Sequence, residues 1–280
     1  MKENKIDLKK LHNTETEIME EITRICRLKK LTYFLIGGTL LGAVRHKGFI
    51  PWDDDLDIAM PREDFEIFIN ECRENLKPKF ELDYINTNNK YWLPFAKVRN
   101  RNTIYQENIQ KKNNQKMGMW VDIFPLDYTN DCEGKSLQKR EKHIKKLKGI
   151  LYLKNLREIT PEDNFIKRVG ISVLQIIPNR FLHYLINKLM KGKGNNKNKY
   201  FVNFGSQYGI KKQTHLKDKY FPAIDVEFEG KMYKAPRDYD YVLTKIYGKN
   251  YMELPPIEKR VTHNPIRIKF ENEPEINFEK

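Results

Sequence analysis

Cysteine is scarce in this 280-residue chain: Cys26, Cys72 and Cys132 stand far apart and form no CxxC pair. That excludes a disulfide framework and a cysteine-built zinc site, and points to a reducing, cytoplasmic compartment. Long apolar runs are missing too. The longest apolar-rich stretch, Val169 to Ile177, falls well short of the ~18 residues expected of a membrane-spanning helix. The opening MKENKIDLKKLHNTE has no apolar segment of the kind a secretory signal needs. The expectation is a soluble protein, or one that is peripheral to the inner face of the plasma membrane. No internal repeat or low-complexity tract is evident.

Acidic residues are outnumbered, 38 Asp and Glu against 52 Lys and Arg, for a net charge of +14. Such a surface fits an anionic polymer, an anionic lipid or a nucleotide as partner, or is simply solvated. What the chain has in quantity is aromatics: 15 Tyr, 15 Phe and 3 Trp, enough for a sizeable core. At roughly 150 residues per domain, the length suits one large domain or two closely joined ones.

The apolar spacing of Leu11, Ile18, Ile22 and Ile25 predicts a long amphipathic helix at the N-terminus. LTYFLI (31–36) reads as a buried strand stopping at Gly37-Gly38-Thr39, and TLLGAVRHKG as a short helix. DDDLDIAM reads as a second strand, ended by Pro61, with a helix after it. FELDYI, WLPFAKV, NTIYQ and MWVDIF are further strands, with a polar loop at NIQKKNNQKMG. Residues 135–190 read as basic and amphipathic helices, broken near Thr160-Pro161 and at Pro178. The last sixty or so residues mix short strands (VEFEG, KMYKAP) with a helix from Asp238 to Tyr247.

Alternation along the second strand is the informative feature. Asp53, Asp55 and Asp57 share one parity, and Leu56, Ile58 and Met60 the other. Three carboxylates on one face repel one another unless a cation sits among them, and a hard divalent ion such as Mg²⁺ or Mn²⁺ takes such oxygens together with substrate phosphates. Asp54 points the other way and is expected to be structural. Just upstream, Gly37, Gly38 and Thr39 at the start of a helix could offer backbone N–H groups and a hydroxyl to a phosphate. Asp122, alone in the apolar run Val121-Asp122-Ile123, is a candidate third ligand or base, with Asp127 weaker. A phosphate cradle beside clustered carboxylates is the arrangement of metal-dependent nucleotidyl and phosphoryl transfer.

GGTLLGAVRHKGFIPWDDDLDIAMPREDF closely resembles the signature of the LicD family, and WVDIFPLD and FEGKMYKAPRDYDYVLTKIYGKNYMELPPIEKRVTH are similar to that family's later motifs. The resemblance runs from about residue 15 to residue 263 and is weakest over 133–220. It implies an α/β (α+β) fold: a nucleotidyltransferase-type mixed sheet flanked by helices, with a helical subdomain. Residues 1–132 would form the catalytic core, 133–220 a basic helical region, and 221–280 elements completing the core. It also implies transfer of phosphocholine, or a related phospho-alcohol, from CDP-choline or another CDP-alcohol to a cell-surface glycan: teichoic acid, lipopolysaccharide or capsule.

On that reading Asp53, Asp55, Asp57 and Asp122 hold the metal, and Gly37, Gly38 and Thr39 the donor phosphate. Lys97 and Arg99 are candidates to neutralise the diphosphate, and Arg45 and His46 to touch donor or acceptor. The resemblance also makes Arg260 and His263 site candidates. Choline, a quaternary ammonium, favours aromatic faces, which makes Phe49, Trp52, Tyr91, Trp92 and Trp120 candidates for its pocket. The basic helices suit a peripheral membrane site, as for a lipid-linked acceptor, or a groove for an anionic glycan. Rival classes are a DxD glycosyltransferase using a nucleotide sugar, a nucleotidyltransferase acting on polynucleotides, and a non-enzymatic RNA-binding module. The Gly-Gly-Thr element and the Asp122 strand argue against the first, and aromatics clustered around acids against the last, so no nucleic acid partner is expected.

Overall fold

The computed structural model describes residues 6–85, 87–107, 117–155, 164–260, 262 and 265–278. Helix α1 (Leu8–Lys29) opens on Asp7, whose side chain accepts from the Lys10 N–H, and closes on Lys30 in the left-handed conformation. Its apolar stripe buries Leu11, Ile18, Ile22 and Ile25. Next come β1 (Phe34–Leu35), α2 (Gly37–His46), β2 (Asp57–Pro61), α3 (Arg62–Asn75), β3 (Phe80–Asp83), β4 (Ala96–Asn100), β5 (Ile104–Gln106) and β6 (Trp120–Thr129). The second half holds α4 (Lys135–Asn155), α5 (Phe165–Ile176), α6 (Asn179–Lys191), β7 (Tyr200–Val202), α7 (Ile210–Gln213) and β8 (Thr214–Leu216). A hairpin of β9 (Ile224–Phe228) and β10 (Lys231–Ala235), helix α8 (Tyr239–Tyr247), β11 (Arg267–Lys269) and β12 (Ile276–Asn277) complete it.

The main sheet runs β1-β2-β6-β4-β3, with β7 added to the far end of β6 and β8 to β7. Among the described residues only the β2–β6 pairing is parallel, so this is the mixed sheet flanked by helices that was expected. Strand β6 is its axis. It pairs with β2 through Asp122–Leu126, with β4 through Trp120–Ile123, and with β7 through its last three residues. All ten of its residues are buried, as befits a central strand.

Two cores result. The larger joins the sheet, α1, α2, α3, α8 and the β9–β10 hairpin. The smaller joins Leu137, Ile144 and Leu151 of α4 to Leu182, Ile186 and Met190 of α6 and to Val202 and Phe204.

The structure departs from the sequence reading in four places. The strand around the acids starts at Asp57, and residues 53–56 form no ladder. Strand β1 is two residues long rather than six. Strand β6 continues through Pro125 to Thr129, because a proline next to Met60 of a parallel neighbour is tolerated there. The 133–220 region is not purely helical: β7 and β8 extend the main sheet, and the cross-strand pairs Val202–Thr214 and Phe201–His215 are buried there. The expected loop over 108–116 and the break at Thr160-Pro161 lie outside the described residues. Among the described residues no single helix is long and apolar enough to cross a membrane. Val169–Ile176 and Asn179–Lys191 together have the length and composition, but they are bent by 79°.

Candidate active site

The site is built where β1 hands over to α2. Ile36 is extended, and Gly37 then turns at φ +57°, a conformation that favours glycine. A Cβ on Gly37 would lie 3.3 Å from Asp57 Oδ2, and one on Gly38 would lie 2.6 Å from Asp53 Oδ2. Both glycines are therefore needed for the close approach of carboxylates to the α2 N-terminus, whose amide dipole favours negative charge. Thr39 does something other than expected. It is buried, and its hydroxyl accepts the Asp57 N–H at 2.8 Å, so it fixes the start of β2 rather than cradling a phosphate.

Three adjacent strands set the charge pattern. Register pairs Asp57 of β2 with Asp122 of β6, and Asp122 with Lys97 of β4. Lys97 Nζ lies 2.6 Å from Asp122 Oδ1 and 4.2 Å from the Trp120 ring centre. Asp53, Asp55, Asp57 and Asp122 line one cleft of about 650 Å3, so the alternation read from the sequence holds although 53–56 form no ladder. Asp54, facing away, is buried and accepts the Tyr105 hydroxyl at 2.5 Å.

One cation among several acids leaves an excess of negative charge. Burial, then Asp55, Asp122 and Asp53, push the Asp57 carboxyl well above the ordinary carboxylate range, against the pull of Lys97. Glu15 on α1, which the sequence reading missed, completes the cluster from behind. Burial, then Asp55, Asp54, Asp53 and Asp122, push its carboxyl well up, and its Oε2 has no hydrogen-bond partner. A signal existed: Glu15 interrupts the apolar stripe of Leu11, Ile18 and Ile22 at helical spacing.

The donor atoms fit a hard divalent cation: all are carboxylate oxygens, they are crowded, and they share one wall of a cleft. Among the described residues no group of three or more His, Cys, Asp or Glu is arranged to hold an ion alone. A hard cation held by one or two carboxylates completes its coordination with other oxygens, such as substrate phosphates.

Other expected contacts are corrected. Arg99 is buried and committed elsewhere, donating to Gly118 O at 2.8 Å and pairing with Asp83 at 3.3 Å. Arg45 and His46 sit at the opposite end of α2 from the glycines. Arg45 donates to the carbonyls of Tyr251 and Glu253 at 3.0 Å each and to His46 Nε2 at 2.9 Å, which ties α2 to the C-terminal segment. Burial, then Arg45, lower the His46 imidazole below its usual value. Asp127 forms a buried two-pronged pair with Arg62, at 2.8 and 2.7 Å. His263 lies outside the described residues.

The aromatics sort differently as well. Phe49 is buried and stacks on His12 at 3.9 Å, Trp92 packs against Tyr152, Tyr91 is buried, and Trp120 lies under Lys97 and Arg99. Of the predicted candidates Trp52 reaches the cleft, with the Arg260 guanidinium 4.5 Å from its ring centre. Phe95 and Phe124, 4.2 Å apart, and Tyr208 and Tyr247, 5.8 Å apart, also line the cleft and were not anticipated. Phe124 could have been found by parity, because it follows Asp122 by two residues on β6. The wall at Asn203–Tyr208 could not, since nothing in NFGSQY marks it. Asn203 shapes that wall by accepting the N–H groups of Gly205 and Ser206 at 2.9 and 3.2 Å.

Comparison with known proteins gives the chain's relatives. The family described as LicD/FKTN/FKRP, nucleotidyltransferase domain, matches residues 30–159, which include the Gly37-Gly38 turn and all the cleft aspartates. The lipopolysaccharide cholinephosphotransferase LicD of Haemophilus influenzae is 30% identical over 259 residues, covering 88% of this chain and 92% of that protein. Shorter matches are an uncharacterized protein of Rickettsia prowazekii, 42% identical over 65 residues (23% of each chain), and one of Rickettsia typhi, 38% over 77 residues (28% of this chain, 24% of that one). With a family match over the acid cluster and a relative aligned along nearly the whole length, the chain belongs to the LicD family.

Proposed function

We propose that this protein transfers phosphocholine from CDP-choline to a hydroxyl of a cell-surface glycan of the lipopolysaccharide kind, assisted by Mg²⁺ or Mn²⁺. The observation that carries the chemistry is the in-register Asp57–Asp122–Lys97 row, with Asp57 pushed toward its neutral form by burial and then by its acidic neighbours. The transferred group is the one named for the Haemophilus relative. Asp55 and Asp57 would hold the cation, with Asp53 and Asp122 beside them. A bound divalent ion supplies charge neutralisation to the diphosphate and to these carboxylates.

The residues of the chain then have separate tasks. The N–H groups at Gly37 and Gly38 face the same space as the acids and hold phosphate oxygens. The acceptor hydroxyl attacks the phosphorus that bears choline, the bridging P–O bond breaks, and CMP leaves. The hydroxyl proton passes to the cluster, where Lys97 fixes Asp122 by one oxygen and leaves the other to receive it. The aromatic rings of Phe95, Phe124, Tyr208 and Tyr247 line the cleft, and their faces suit the choline ammonium. Most of the acceleration comes from alignment and charge neutralisation.

A lipid-linked acceptor brings the enzyme to a membrane surface. Val169, Val173 and Ile176 on α5 and Phe181 and Tyr184 on α6 are exposed, with Arg180, Lys188 and Lys191 beside them, which suits an anionic lipid interface. Co-sedimentation with phosphatidylglycerol vesicles, released by salt and lost in Val173→Asp/Ile176→Asp, tests this part.

The donor is tested by calorimetric titration of CDP-choline, CDP-ribitol, CDP-glycerol and UDP-glucose, with Mg²⁺ and with chelator. Tight metal-dependent binding of CDP-choline is the expected result. Equal affinity for UDP-glucose, or tight binding in chelator, would remove the reading.

A further inference from the structure

A second groove, of about 650 Å3, lies between α4 and the loop that leads into α7. Lys135, Lys139, Lys142 and Lys145 follow one another at spacings of three and four, so they share a face of α4 and form one wall. Tyr208 and Lys211 belong to the other. The single acid in the lining is Glu141, and it is occupied: Lys145 Nζ approaches it at 2.7 Å and the Ile210 N–H at 3.3 Å. Five lysines facing one engaged carboxylate repel one another, and a multiply charged anion would relieve that repulsion.

A solvated basic helix face would look similar in charge but not in shape or position. This face lines a groove, and the groove shares a wall residue with the acid cleft. Tyr208 lines both spaces, and its ring lies 5.8 Å from that of Tyr247 in the cleft wall. Gly209 turns the chain at φ +73° immediately beyond, and a Cβ there would lie 3.2 Å from Glu141 Oε1, so the turn brings this loop close to α4.

We propose that this lysine groove is the acceptor subsite. It binds phosphate or carboxylate groups of an anionic glycan whose hydroxyl reaches the cleft past Tyr208. The proposal rests on the transferase reading of the cleft. It places the polyanion on α4, away from the exposed apolar residues of α5 and α6.

The probe is fluorescein-labelled inorganic polyphosphate, with binding followed by anisotropy in EDTA so that the acid cleft repels it. The variant is Lys135→Glu/Lys139→Glu/Lys142→Glu, with the milder triple change to Gln beside it. Lys9→Glu/Lys197→Glu/Lys249→Glu alters equally exposed lysines elsewhere. Wild type should bind polyphosphate, and rising salt should release it. The α4 variant should lose about tenfold or more in affinity, and the control much less. Thermal melting checks the fold, and if the Glu triple melts early the Gln triple decides. Equal losses in both variants, unchanged affinity in the α4 variant, or equally good binding of neutral labelled dextran would overturn the proposal. So would loss of phosphatidylglycerol-vesicle binding with polyphosphate binding intact, which would assign the lysines to a membrane. CDP-choline titrated with Mg²⁺ should be unaffected by the α4 changes. Failure of wild type to bind it would remove the donor reading and leave the groove result standing.

Discussion

Strands β2 and β6 carry two buried charge clusters, and they are built in opposite ways. At one end, Asp57 and Asp122 face each other with Asp53 and Asp55 nearby and Lys97 as the cation. At the other, Arg62, the first residue of α3 just past β2, meets Asp127 of β6 in a two-pronged pair, each side chain almost wholly buried. There burial lowers the guanidinium, but Asp127 outweighs it and keeps the group charged. One cluster is balanced within the protein, and the other is short of positive charge. Parity separates them, because residues 122 and 127 lie on opposite faces of the same strand. Balanced burial stabilises structure, while a deficit of charge marks where a ligand must bring it.

The sharpest test of this contrast is Asp57→Asn or Asp55→Asn. Each should lower CMP release by about 10³-fold or more while the melting temperature holds or rises, because a carboxylate is removed from a repulsive cluster. Near-normal turnover in either would break the comparison. Asp127→Asn should do the reverse, costing about 3–5 kcal/mol by stranding buried Arg62. Activity per folded molecule should survive. Arg62→Met/Asp127→Leu, measured by denaturant unfolding, should recover most of that loss, and no recovery would mean the pair does more than balance charge.

A smaller effect is expected at the glycines. Gly38→Val places atoms where Asp53 Oδ2 lies 2.6 Å from a Cβ, so CDP-choline affinity should fall by about tenfold or more with little loss of stability. Unchanged affinity by calorimetry would separate the turn from the donor site. The mildest test concerns Glu15. Its folded-state value is raised above the unfolded value, so the folded state holds the proton more tightly. Stability is then full below the ordinary carboxylate value of 4.5 and is lost as pH rises through the interval up to the folded value. Metal-free wild type should lose up to about 1.4 kcal/mol per pH unit from this group, and Glu15→Gln should not. Parallel unfolding curves for the two proteins across pH 5–9 (roughly the range that matters) would exclude Glu15 from the charge deficit.

The sequence by itself determined the local half of the site. Alternation of Asp53, Asp55 and Asp57 with Leu56 and Ile58 needs only a side-chain period of two, and it survives although 53–56 form no ladder. The Gly37-Gly38 turn follows from backbone freedom that glycine alone supplies cheaply. Which charges meet was decided only in the tertiary structure. Parallel pairing sets Asp122 beside Asp57, and antiparallel pairing sets Lys97 beside Asp122, while Arg99, two residues on, is drawn to Asp83. Glu15, the Asn203–Tyr208 wall and Tyr247 come from elements far away in the chain. Strand register and helix docking are settled by long-range burial, and a short segment such as NFGSQY carries no local pattern that fixes its neighbour.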